Sequence, residues 1–182
     1  MKKALLFSLV FIFSALAVFA YETIIIKYPD GEKWEKAYYK KVGNEAILQY
    51  TPYGETSNNW IRSIVIHSYG ELGYPIRIFS NNSIQKMLKA NPTGKYKTLR
   101  IGQNDAIFTR CTDDYKNIKG QCEFYRVTRA HDNIVTVHYM NKNKDNFKDN
   151  YTIWLEIIRT AKFLNTYYRN ERTLNKSEYF EL

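Results

Sequence analysis

The chain is poor in the residues on which small domains build catalytic sites. Of its 182 residues only eight are glycine, four proline, three histidine and two cysteine. Three isolated histidines, with no HExxH helix, no His pair at helical spacing and no Cys/His cluster, give a metal nothing to bind. No GxSxG elbow marks a hydroxyl nucleophile, and no glycine-rich loop cradles a phosphate. No low-complexity linker, internal repeat or second domain is visible. Beyond the first twenty residues no apolar run is long enough to cross a bilayer. On these grounds no catalytic, cofactor or metal residue is named, and a non-catalytic protein is expected.

What is present begins with a leader. Lys2 and Lys3 precede an apolar core at 4–16, and Val18 and Ala20 stand at the small-residue positions before a cut ahead of Tyr21. This predicts a signal peptide over 1–20 and a single α+β domain over 21–182, periplasmic or secreted. An uncleaved N-terminal anchor is the rival reading. No cysteine follows the cut, so a lipid anchor is not expected, nor is a membrane span once the leader is removed. The formal net charge is +9, of which the leader lysines supply two. That excess suits an anionic envelope component or another exported protein as partner, although a biased composition rich in Lys, Asn, Ile and Tyr would also produce it.

Cys111 and Cys122 flank a polar, turn-forming segment, TDDYKNIKGQ. An even count in an exported chain favours one disulfide tying two neighbouring strands across a hairpin. A reactive thiol or metal pair is the alternative, but the spacing is not CxxC and no histidine is near in sequence.

β-Branched and aromatic runs bounded by turn residues predict strands at 23–28, 33–41, 46–51, 96–101, 106–112, 122–129 and 134–139. Residues 60–68 read at either period, and a helical turn running into a strand is expected there. A short helix is expected over 80–90, capped by Ser80 or Asn81 and ended by Asn91-Pro92. Apolar residues from Phe147 through Trp154 to Tyr168 recur at steps of three or four, which predicts one long C-terminal helix of five or six turns. A polar tail follows from Asn170. The expected architecture is an antiparallel sheet of about six strands covered by the short helix and the long C-terminal one.

Basic and aromatic residues alternate at Lys95-Tyr96-Lys97 and Phe124-Tyr125-Arg126. A strand with one buried and one solvated face accounts for them, so nucleic acid is not expected as a partner. The carboxylates Asp113, Asp114, Asp145 and Asp149 fall in loop or helix-start sequence and do not make an evident glycosidase pair.

Around the third strand, Tyr50, Pro52, Gly54, Glu55 and Trp60 lie within QYTPYGETSNNW. Pro52 and Gly54 end the strand and turn the chain, Glu55 is placed to accept from nearby backbone N–H groups, and Trp60 is expected to pin the turn into the core. This stretch resembles a pattern in small exported bacterial proteins of unknown function, with a Y-x-P-x-G-E turn and a Trp a few residues later. A later cysteine pair, a Tyr-rich meander and a closing helix with an inward Trp, here Trp154, are similar too. The order of elements is also similar to the PsbP-like α/β/α sandwich, which implies a sheet covered by helices and no catalytic machinery. The chain therefore reads as an exported accessory or binding protein of the envelope or secretome, with a groove between sheet and helix. An exported hydrolase using His67 or His138 with a nearby carboxylate, and a secreted host-contact protein, are the alternatives.

Overall fold

A computed structural model describes residues 22–26, 28–29, 31–71, 73–130, 133–165 and 180–181. The expected signal peptide, the end of the expected long helix and the polar tail before residue 180 lie outside the described residues. Strands β2 (Trp34–Val42), β3 (Glu45–Pro52), β4 (Arg62–Glu71), β5 (Lys95–Ile101), β6 (Asp105–Cys111), β7 (Cys122–Ala130) and β8 (Asn133–Asn141) form one antiparallel sheet in the order β2-β3-β4-β8-β7-β6-β5. Helix α1 (Ile76–Ala90) carries the chain from β4 in the middle of the sheet to β5 at its edge. Helices α2 (Lys144–Asp149) and α3 (Tyr151–Thr160) follow β8. A smaller sheet places β1 (Glu22–Ile25) between β9 (Lys162–Asn165) and β10 (Phe180–Glu181).

Two expectations about this architecture are corrected. The main sheet has seven strands, not six, because 62–71 is strand throughout and the helical turn expected near Trp60 is absent. Nor is there a long C-terminal helix among the described residues: three short helices take the place of the expected pair. The stripe through Phe147, Tyr151, Trp154 and Ile158 is real, but the backbone carrying it is broken twice. At Asn150 the backbone leaves helical geometry (φ −103°, ψ 13°), and its side-chain amide bonds back to the Asn146 carbonyl at 2.9 Å. At Ala161 the backbone becomes extended and the chain turns to pair with β1.

The second break has a tertiary cause. Arg126 on β7 donates through Nη1 to the carbonyls of Ile158 at 2.9 Å, Arg159 at 3.2 Å and Ala161 at 2.8 Å. Its Nε is held by Asp105 Oδ1 at 3.1 Å. Carbonyls left without partners at a helix end are thus satisfied by a guanidinium from the sheet. The other helix is longer than expected at its start. Pro75, at the N-cap of α1, sets the entry, and Ser80 is buried inside the helix instead of capping it.

Side-chain alternation gives the sheet two buried faces. One packs Leu48, Ile66, Phe124, Val137 and Tyr139 against Phe147, Trp154 and Ile158 of the C-terminal helices. Trp154 is 1 % exposed, and its ring stacks on Tyr139 with centroids 3.8 Å apart. The opposite face packs Phe108, Tyr125, Val127 and Ile134 against Ile76 and Ile84 of α1. Both edge strands carry lysines, Lys36 and Lys40 on β2 and Lys95 and Lys97 on β5. Each also shifts register once, at Lys36/Tyr38 and Thr98/Arg100. Charge and irregularity together deter pairing with another sheet.

Cys111 and Cys122 are opposite one another on β6 and β7 and form a disulfide. Their loop is fastened to the end of α1, since Asn91 Nδ2 donates to the Asp113 carbonyl at 3.1 Å. Gly120 is needed there, because a Cβ would fall 2.7 Å from the Thr112 carbonyl oxygen.

Candidate functional site

The two faces of the sheet differ in chemistry. The face under α2 and α3 is mainly apolar and aromatic. The face under α1 carries His67 and Tyr69 from β4, Thr136 and His138 from β8, Glu123 and Tyr125 from β7, and Arg110 from β6. The register makes neighbours of them: Arg110 opposes Glu123, Tyr125 opposes His138 and His67 opposes Thr136. Polar residues at alternate positions of strands buried on both sides are costly unless paired or useful.

Between this face and α1 lies a pocket of about 510 Å³, within the range of about 300–1,000 Å³ usual for small-ligand sites. Its walls are aromatic. Tyr69 packs edge-on against Phe79 of α1 at 4.9 Å, and Tyr125 forms part of the floor. Tyr74 stands at the entrance with 57 % of its surface exposed, and its carbonyl accepts from Arg129 Nη2 of β7. That tie places the Tyr74-Pro75 corner and with it the start of α1. Asn82, Ser83 and Lys86 project from α1, and Glu45 closes the rim from the start of β3.

His138 lies at the floor, its ring 4.0 Å from that of Tyr125. Burial first, then the nearby Arg110 charge and His67, pull its pKa down to about 3. The imidazole is therefore neutral at ordinary pH, with one nitrogen donating and one accepting. The residue keeps a minority of its surface open, and its place among the lining residues puts that opening on the pocket. Burial pushes the hydroxyls of Tyr69 and Tyr125 up, eased by Thr136 beside both and, for Tyr125, by Ser83. Both remain protonated donors.

Behind the floor, Arg110 Nε lies 2.8 Å from Glu123 Oε1, although the N–H is not aligned to make a hydrogen bond. Glu123 is 2 % exposed. Burial raises its pKa and Arg110 opposes the rise. The two lie as a close pair behind the floor, and the Arg110 charge still reaches His138. Beside the pocket His67 stacks on the lining residue Tyr69 at 3.8 Å and lies 3.9 Å from Glu45. Desolvation lowers the His67 pKa more than Glu45 raises it.

None of the turn residues read from the sequence lines this pocket. Tyr50 is buried on the α2–α3 face, and Pro52 ends β3 opposite Trp34. Gly54 has φ +87°, a value that side-chain-bearing residues rarely adopt. Glu55 Oε2 accepts from the N–H groups of Ile61 at 2.7 Å and Arg62 at 3.3 Å. Trp60 is not in the core. It is half-buried, with Lys142 Nζ 3.8 Å above its ring and bonded to its carbonyl at 2.9 Å. Asp113, Asp114 and Asp145 are engaged with Lys144, Lys119 and Lys148 at the surface. Among the described residues no group of three or more His, Cys, Asp or Glu could hold a metal ion, and no helix is long and apolar enough to cross a membrane.

Sequence reasoning expected a groove between sheet and helix and weighed His67 and His138 singly; of the two only His138 lines the pocket, whose walls come from five elements with no local motif. The usable signal was the alternation Ile134, Thr136, His138 along β8, which puts polar groups on a face that α1 covers. Comparison with family models, curated proteins and solved structures finds no match to this chain.

Proposed function

We propose that this protein is an exported, non-catalytic binding or accessory protein of the cell envelope or secretome, and that its ligand enters the pocket between α1 and the sheet. The observation that carries this reading is a cavity with aromatic walls, neutral hydrogen-bonding groups at its floor and one charge of each sign at its rim. Such a site holds a ligand by contact area and orients it by a few polar groups. The basic edge strands supply a second surface, suited to an anionic envelope component or an acidic exported partner. The disulfide fits an oxidising compartment. Affinity capture from envelope extracts tests the reading with wild-type protein and Asn82→Trp. Asn82 is an exposed helical position at the pocket, so the indole should cover the entrance without disturbing the core. Capture lost in this folded variant supports the proposal, and capture unchanged refutes it.

One contact favours a second reading, an exported hydrolase. His67 lies 3.9 Å from Glu45 beside the pocket, a histidine–carboxylate neighbourhood that has to tighten to hydrogen-bond reach to orient a general base. Turnover of ester or glycoside substrates that His67→Ala abolishes would establish it in place of the first.

A further inference from the structure

Resting on that pocket reading, we infer that the ligand is an uncharged sugar ring, its face stacked on Tyr74 at the entrance and its hydroxyls bonded to Asn82 at the rim and to His138 at the floor. Three features of the pocket lead to this class. Most lining residues end in a polar group, so a purely apolar guest would bury hydroxyl and amide groups without partners, which is costly. The polar groups at the floor are neutral, and each tyrosine hydroxyl or neutral imidazole both donates and accepts, as sugar hydroxyls do. The charges nearest the guest, Lys86 and Glu45, oppose one another at the rim. The deeper Arg110 and Glu123 are already paired.

A charged guest therefore meets no unpaired counter-charge at the floor and loses its hydration on entry. Tyr74 offers what a sugar needs from the other side. Arg129 holds its backbone carbonyl, so the exposed ring stands on a fixed corner and offers a flat surface to the C–H face of the sugar. The depth beyond Tyr74 receives the polar edge.

The test is a titration of the ¹⁵N-labelled protein with glucose, N-acetylglucosamine, maltotriose and chitotriose, and in parallel with glucuronate and indole. At least one neutral sugar should shift the amides of Asn82, Ser83, Tyr125 and His138 saturably, and glucuronate should bind at least about tenfold more weakly than glucose. Tyr74→Ala and Asn82→Ala alter exposed side chains and should keep the fold, as unchanged amide dispersion will verify. Each should weaken sugar binding about tenfold. Tighter binding of the trisaccharides than of the single sugars assigns the site to one unit of a polymer, and equal binding assigns it to the free sugar.

If only indole shifts the pocket amides, or glucuronate binds more tightly than the neutral sugars, the sugar assignment is overturned while the pocket remains the binding site. If no neutral sugar binds, the assignment is likewise overturned. The pocket reading itself fails only if Asn82→Trp leaves partner capture intact.

Discussion

Acidification should destabilise this protein through one residue, and the effect can be isolated. His138 has an ordinary pKa of 6.5, which the folded state lowers to about 3. A histidine depressed by folding contributes stability that is fully present above its unfolded pKa. That stability drains away as pH falls from about 6.5 toward about 3, because the unfolded chain takes the proton first. Each pH unit in that window costs about 1.4 kcal/mol at most. Between pH 6.5 and 4.5 the limit is therefore close to 3 kcal/mol, and since the residue is not wholly buried we expect about 2 kcal/mol. His67 is depressed too and works in the same direction.

Glu123 works in the opposite direction. Its pKa is raised by burial, so its contribution is present at low pH and is lost as pH rises above the ordinary carboxylate range. The wild-type curve alone is thus a sum of opposed slopes, and the measurement must be a difference. Urea midpoints followed by Trp fluorescence at pH 7.5, 6.5, 5.5 and 4.5 should be compared for wild type and His138→Gln, whose amide does not titrate. The wild type should lose about 2 kcal/mol more than the variant across the range. Parallel curves would refute the burial and neutrality assigned to His138, and with them the character of the pocket floor.

Replacing Arg126 by methionine removes the donor shared by three carbonyls at the end of α3 and leaves Asp105 without its closest cation. A loss of about 3–5 kcal/mol is expected, with faster amide exchange beginning at Ile158. Unchanged exchange there would show that another group ends the helix. Reducing the Cys111–Cys122 bond opens a short loop, with cysteines 11 apart in sequence, and should cost about 2–3 kcal/mol by denaturant titration with and without reductant. Because Trp60 rests on Lys142 outside the core, Trp60→Ala should cost only about 1–2 kcal/mol. A loss of about 3–5 kcal/mol in the same titration, usual for a buried Trp, would contradict that placement.

The strands were legible because their determinants are local. β-Branched runs such as IVIH and IVTVHYM are cut off by Asn, Asp and Gly, and every strand of the meander lies within two residues of its expected ends. The helices were less so, since what ends α3 is Arg126, more than thirty residues earlier in sequence. The spacing of apolar residues from 147 onward continues through both breaks and gives no sign of either. At α1 the Ser80-Asn81 pair resembled a cap, whereas Pro75 set the start. The pocket was least legible of all. His138 becomes informative only once β8 is known to be central and α1 to cross its polar face, and both facts depend on strand order.

The turn at 50–60 was easy to notice because its Pro, Gly and Trp are conspicuous in a chain short of all three. Those residues shape a corner, while the residues that make the pocket are ordinary Tyr, Asn, Ser and Lys. Local chemistry marked the scaffold, and topology assembled the site.

Whether partners are held in the pocket under α1 is decided by one competition. Envelope extract is passed over immobilised wild-type protein, over Asn82→Trp with its entrance covered, and over a Lys36→Glu/Lys40→Glu double variant with one basic edge reversed. Circular dichroism first establishes that all three are folded. Capture should be abolished by Asn82→Trp and at most weakened by the edge variant. Capture that survives Asn82→Trp and disappears with the edge charges would contradict binding in the pocket.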